Sequence, residues 1–164
     1  MNVPRVVAST ALVVVVACGS TTDPKTTPSP TAVEPVAGGP SCLDRANGQR
    51  PKRADEPDSV HVQHVLVKHK DAKNPRDGVT RTREEACARA EEALAKMKEG
   101  IAFDSVVAQY SDEAGAATRS GDIGNVTRAE VQPAFADAAF ILDHNQLSDV
   151  VETDFGFHLI LRVP

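Results

Sequence analysis

The 164-residue chain carries 18 Lys and Arg against 23 Asp and Glu, a net charge of −5, with 4% aromatic residues and no Trp. Lacking both a cationic excess and stacking aromatics, it is not composed as a nucleic-acid binder. Its three cysteines, Cys18, Cys42 and Cys87, have no zinc-ligand spacing, and neither a metal nor a cofactor is expected.

Arg5 precedes an apolar run from Val6 to Ala17. The run is too short for a permanent membrane span and has the form of a secretory signal. Val15-Val16-Ala17-Cys18 resembles the lipobox of bacterial lipoproteins, which implies cleavage before Cys18, lipidation of its thiol and a membrane as partner. Gly19, where an Asp would favour the inner membrane, implies an outer-membrane address. A plain signal peptide with a chance cysteine, or an uncut anchor, is the alternative. The expected division is a signal over 1–17, a Pro- and Thr-rich tether over 18–57 and one folded domain over 58–164. The tether expectation rests on composition, since few large apolar residues are available there to offset chain entropy. Cys42 and Cys87 are compatible with a disulfide in an oxidising compartment, and equally with two reduced thiols of which Cys87 packs as a small core residue.

VHVQHVLVK at 60–68 predicts a strand from its β-branched residues and period of two. His64, Leu66 and Lys68 share one face, and His61, Val65 and His69 the other, so the histidines form no single metal cluster. A helix begins at Thr82, which forms a capping box with Glu85, and ends at Gly100. Ala86, Ala90, Ala93, Leu94 and Met97 form its buried stripe, and Glu85–Arg89 and Glu92–Lys96 are spaced as i,i+4 pairs. Phe103, Val106, Val107 and Tyr110 predict a second short helix. A glycine-rich loop leads to a short strand near Ile123, and a third helix starts at Gln132 and Pro133, where proline suits the first turn. A strand over 147–152, a turn at Asp154-Phe155-Gly156 and a returning strand FHLILRV complete an α+β domain with a largely antiparallel sheet.

The segments HVLVKH (64–69), TRTREEA (80–86), FDSVVAQYSD (103–112), GDIG (121–124), PAFADAAF (133–140) and TDFGFHLILR (153–162) together resemble, in this order, the parvulin family of peptidyl-prolyl cis-trans isomerases. The likeness covers residues 60–163. It implies a four-stranded sheet surrounded by about four helices, with His64 and His158 at the floor of a prolyl cleft and the Thr153 hydroxyl beside them. Ile123, Val131 and Phe135 would line the proline pocket, flanked by Gln132; Val131 is smaller than the Met or Leu common there. Glu113 stands where phospho-specific members carry cysteine and many others aspartate, so the implied mechanism is non-covalent. Lys68 and Lys73 are what remains of the cations that hold phosphate in phospho-specific members, with Asn74 in place of an arginine, so phosphate dependence is not expected.

The implied activity is isomerisation of X-Pro bonds in exported or envelope proteins, by a monomer acting on proline-containing clients without a cofactor. The competing reading is a non-catalytic holdase that binds proline-containing segments.

Overall fold

The computed structural model describes residues 39–164; the expected signal segment, Cys18 and the tether up to residue 38 lie outside the described residues. At the centre stands β1 (Val60–Val67), flanked by β2 (Asp122–Val126) and β4 (Gly156–Arg162), with β3 (Val151–Thr153) beyond β4. Every pairing is antiparallel. The strand order β2-β1-β4-β3 thus places the first and last strands side by side in the middle of the sheet.

The period of two in β1 sorts its side chains between two cores. Val65 and Val67 pack with Ala86, Cys87, Ala90, Val106 and Tyr110, from α2 (Arg83–Lys98) and α3 (Phe103–Tyr110). Val60 and Val62 pack on the opposite face with Phe135, Ala136, Ala139 and Phe140, from or adjoining α4 (Pro133–Ala139). Each such valine, buried to 2% exposure or less, contributes about 1.5–3 kcal/mol. His64 falls on the α4 side, where it borders an aromatic core with an open edge.

The capping box of α2 forms as its sequence predicts: Thr82 Oγ1 accepts from the Glu85 N–H at 3.2 Å, and Glu85 Oε2 accepts from the Thr82 N–H at 2.7 Å. Gly100, at φ +92°, follows its C-cap. The two i,i+4 pairs do not form, because their members find other partners. Glu85 is committed to the cap, Arg89 lies 4.7 Å over the Tyr110 ring and donates to the Gln109 carbonyl, and Glu92 accepts from the Tyr110 hydroxyl at 2.6 Å.

The expected boundary at residue 58 is corrected by the segment before β1. Ser41 caps a short helix α1 (Cys42–Ala46), Cys42 is disulfide-bonded to Cys87 of α2, and Ala46 is buried in the α2-side core. Further along, Arg50 donates to the Val150 carbonyl at 3.0 Å, Arg53 pairs with Asp143 at 2.7 Å, and Glu56 pairs with Arg128 at 2.6 Å. The segment is held by one covalent bond and a series of ion pairs and hydrogen bonds, which an apolar count does not register, so it is ordered despite its tether-like composition. The expected strand over 147–152 is also shorter than predicted. Regular pairing starts only at Val151, and before it Leu147 makes one isolated bridge to Leu161 while Ser148 exchanges bonds with Ile160. Within the predicted loop, Ala117–Arg119 form a 3-10 turn.

Candidate active site

The register of β1 and β4 sets His64 opposite Ile160 and His158 opposite Leu66. The two imidazoles are therefore diagonal neighbours on one face. Their rings stack with centroids 5.5 Å apart and planes 17° from parallel, bringing the two Nδ1 atoms to 3.3 Å. Both are about 5% exposed. The β3–β4 hairpin turns through Asp154 and Phe155, and Thr153 at its start places Oγ1 2.7 Å from His158 Nε2.

Glu113 arrives from the loop after α3. That loop is pinned to β1 by Asp112, whose N–H donates to the Leu66 carbonyl at 2.7 Å and whose carboxylate accepts from the Lys68 N–H at 2.8 Å and from Arg81 at 2.5 Å. Glu113 Oε2 consequently lies 2.8 Å from His64 Nε2, and Arg119 of the 3-10 turn reaches the same oxygen at 2.5 Å. The loop closes at Gly121, whose carbonyl accepts from the His64 N–H at 2.8 Å. Gly121 has φ +72°, and a Cβ there would collide with the His64 carbonyl, so the close approach requires glycine.

With both imidazoles neutral, a single direction satisfies every group in this row. Thr153 O–H donates to His158 Nε2, His158 Nδ1–H donates to His64 Nδ1, and His64 Nε2–H donates to the Glu113 carboxylate. The Phe155 N–H supplies the donor to Thr153 Oγ1 at 3.2 Å. The bond from His64, reinforced by the Arg119 guanidinium, outweighs burial and holds the Glu113 carboxyl below its ordinary value. Burial, aided by the neighbouring His64 and Lys68, pushes His158 well below the usual imidazole value, so His158 remains neutral.

Above this polar row lies a cavity of about 380 Å³, lined by Ile123, Val131, Phe135 and Phe155 with Gln132 at its rim. Pro133 at the first position of α4 leaves Gln132 as its N-cap in extended conformation. Phe135, 4% exposed, sets its ring edge-to-face against His64 and His158 at 5.9 and 5.3 Å between centroids. Apolar walls and a hydrogen-bonded floor suit a five-membered ring joined to an amide.

Seven of the sequence-predicted residues, His64, Ile123, Val131, Gln132, Phe135, Thr153 and His158, line this cleft, and Glu113 joins them through its bond to His64. Lys68 and Lys73 do not line it. Lys68 Nζ donates to the Asn74 carbonyl at 2.6 Å, and Lys73 Nζ sits 5.2 Å over the Phe155 ring on the neighbouring surface. Two contributors went unread in the sequence: Phe155, a large aromatic in a two-residue turn where small polar residues are usual, and Arg119, the one cation of the glycine-rich loop 113–121. Among the described residues no group of three His, Cys, Asp or Glu side chains is placed to hold a metal.

The chain matches the family model described as the PPIC-type PPIase domain over residues 49–163. It is 42% identical over 123 residues to the Drosophila melanogaster protein dodo, covering 72% of this chain and 74% of dodo. To the peptidyl-prolyl cis-trans isomerase pin1 of Schizosaccharomyces pombe it is 35% identical over 116 residues, 68% of this chain and 66% of pin1. Among solved structures it is similar to the peptidyl-prolyl isomerase ESS1 from Candida albicans, with a TM-score of 0.63 and 29% identity over 75% of this chain and 72% of that one.

Proposed function

This chain belongs to the PPIC-type, or parvulin, family of peptidyl-prolyl cis-trans isomerases and is an enzyme of that activity; on that footing we propose that it works through the cleft between β1, β4 and α4 without a covalent intermediate. The observation that carries this reading is the unbroken row from Glu113 through His64 and His158 to Thr153 beneath apolar walls.

An amide bond resists rotation by roughly 18–20 kcal/mol because its resonance must be broken. No proton leaves the substrate. Ile123, Val131 and Phe135 grip the proline ring, and Gln132 holds the adjoining backbone. The planar amide carries more negative charge on its oxygen than the twisted one. An ionised Glu113 close to that oxygen therefore disfavours the ground state more than the transition state. His64, His158 and Thr153 fix the carboxylate and one another, so no reorganisation is needed as the bond turns. Lys68 and Lys73, outside the pocket, favour an acidic residue before the proline by long-range attraction.

The segment Val6–Cys18 supports an enzyme carried to the cell envelope and anchored by lipid at Cys18, on the outer membrane, with exported proteins as clients. The Cys42–Cys87 bond fits an oxidising compartment. Uncatalysed prolyl isomerisation takes tens of seconds or longer, slow enough to limit folding there. The mass of the chain recovered from membranes, compared with a Cys18→Ala variant, tests the anchor.

The cleft is tested by NMR exchange spectroscopy on short X-Pro peptides with X as Glu, Ala, Leu or Lys. Cis–trans exchange is expected to accelerate, and to slow by about tenfold, roughly 1.4 kcal/mol of barrier, in a Phe135→Leu variant that keeps an apolar core residue. Undiminished activity in that folded variant would remove Phe135 from the pocket.

A further inference from the structure

A second groove, of about 780 Å³, continues from the prolyl pocket and meets it at Gln132 and Thr153, which line both. Part of its wall is Asn47, from the segment before β1, beside Arg83 and Glu152. Asn47, the C-cap of α1, donates Nδ2 to Glu152 Oε2 at 2.5 Å, and Arg83, the first residue of α2, grips the same carboxylate through Nε and through Nη2 at 2.6 Å. Side chains from the end of α1 and the start of α2 thus converge on one β3 carboxylate whose side chain is only 11% exposed. Burial opposes ionisation of Glu152, yet the bonds from Arg83 and Asn47 leave its carboxyl below the ordinary value.

The wall is fixed in place. Cys42 ties α1 to α2 through Cys87, and Ala46, next to Asn47, is 1% exposed in the core. On the opposite side Pro133 and Ala134 leave room, and His69, 8% exposed, borders the groove with its Nδ1 unpartnered among the described residues. Lys73 stands at the junction over Phe155, making no ion pair among the described residues.

The groove's chemistry differs from that of the prolyl pocket. Lys73 and Arg83 face Asp71, Glu152 and Asp154, so its walls carry both signs and many hydrogen-bonding groups. Such a surface suits a polar, extended backbone better than an apolar ligand or a single charge. We infer that this groove is a second peptide subsite, which takes an extended stretch of the client chain on one side of the prolyl bond, with Asn47, at the end of the disulfide-pinned segment 42–47, in its wall. The inference rests on the reading of the prolyl pocket given above. It implies that binding energy from residues distant from the turning bond is available to the reaction, so longer clients are better substrates.

The test compares kcat/KM of the full chain for a four-residue X-Pro peptide with that for the same core extended by four residues on its amino or its carboxyl flank. Extension on one flank is expected to raise kcat/KM roughly tenfold, the effect of one or two net hydrogen bonds. The long-to-short ratio is expected to fall toward one in Ala134→Arg, which fills the groove, and to be reduced in Asn47→Ala, which removes a wall contact at an exposed position. No gain on either flank, or a ratio unchanged in both variants, overturns the inference. Should the core peptide not be isomerised at all, it is the reading of the prolyl pocket that fails. The groove is then judged by shifts of the Asn47 side-chain amide signals on titration with the extended peptide, and their absence overturns it.

Discussion

Glu113 Oε2 lies 2.8 Å from His64 Nε2, across the imidazole from the Nδ1 that faces His158. One carboxylate therefore sets the tautomer of both buried rings. Glu113→Gln preserves size and an acceptor but removes the charge. It is expected to lower kcat/KM by roughly tenfold, about 1.4 kcal/mol of barrier, and to abolish the loss of activity that the parent shows as pH falls through the Glu113 carboxyl. Exchange spectroscopy from pH 7 downward measures both. A folded Gln variant with parental activity would show that the charge contributes nothing.

Arg119 approaches the same oxygen at 2.5 Å from a partly exposed position. The Glu113 carboxyl is lowered first by the bond from His64, with Arg119 adding to it. Removing the guanidinium in Arg119→Gln should raise that carboxyl value, so the acid limb of the activity profile moves to higher pH while activity near neutrality changes less. A limb in its original place would leave Arg119 without a positioning role.

Glu113 and Arg119 differ in how far the sequence displays them. The strand at 60–68, the cap of α2 at Thr82 and the proline start of α4 are local signals, and the structure follows them closely because each is decided within a few residues. His64, Glu113, Thr153 and His158 could be named because motif likeness ties segments that are far apart in the chain. Arg119 and Phe155 could not, since a 3-10 turn brings Arg119 to Glu113 and a hairpin brings Phe155 to the cleft, both through tertiary contacts. The order of segment 41–57 is hidden from its composition for a related physical reason. Its order comes from a cross-link and from ion pairs to Asp143 and Arg128, and composition reports only apolar burial.

His158 is 5% exposed, and its folded value lies well below the ordinary 6.5 because burial disfavours the imidazolium. Above pH 6.5 the ring is neutral in both folded and unfolded chains and pH changes nothing. Below it the unfolded chain takes up a proton that the folded one refuses, so stability falls with falling pH, by up to about 1.4 kcal/mol per pH unit. The decline continues until the folded value is reached. Urea unfolding between pH 7 and pH 5 is expected to show this slope, and His158→Asn to reduce it. An equal slope in the variant would assign the effect to other groups.

The Cys42–Cys87 bond closes a 45-residue separation and joins α1 to α2. Because α1 spans only five residues, too few for helix to persist alone, its position depends on that link, on buried Ala46 and on a few polar contacts. Cys42→Ser is expected to cost about 2–4 kcal/mol and to lower Tm by on the order of 10 °C. The loss should be local as well as global. Hydrogen exchange at the α1 amides should rise toward open-chain rates, while β1, at the centre of the sheet, keeps protection limited by global unfolding. If α1 kept parental protection in Cys42→Ser, the polar contacts of Asn47, Arg50 and Arg53 would suffice to hold the segment, and the disulfide would stabilise the domain only through its unfolded state.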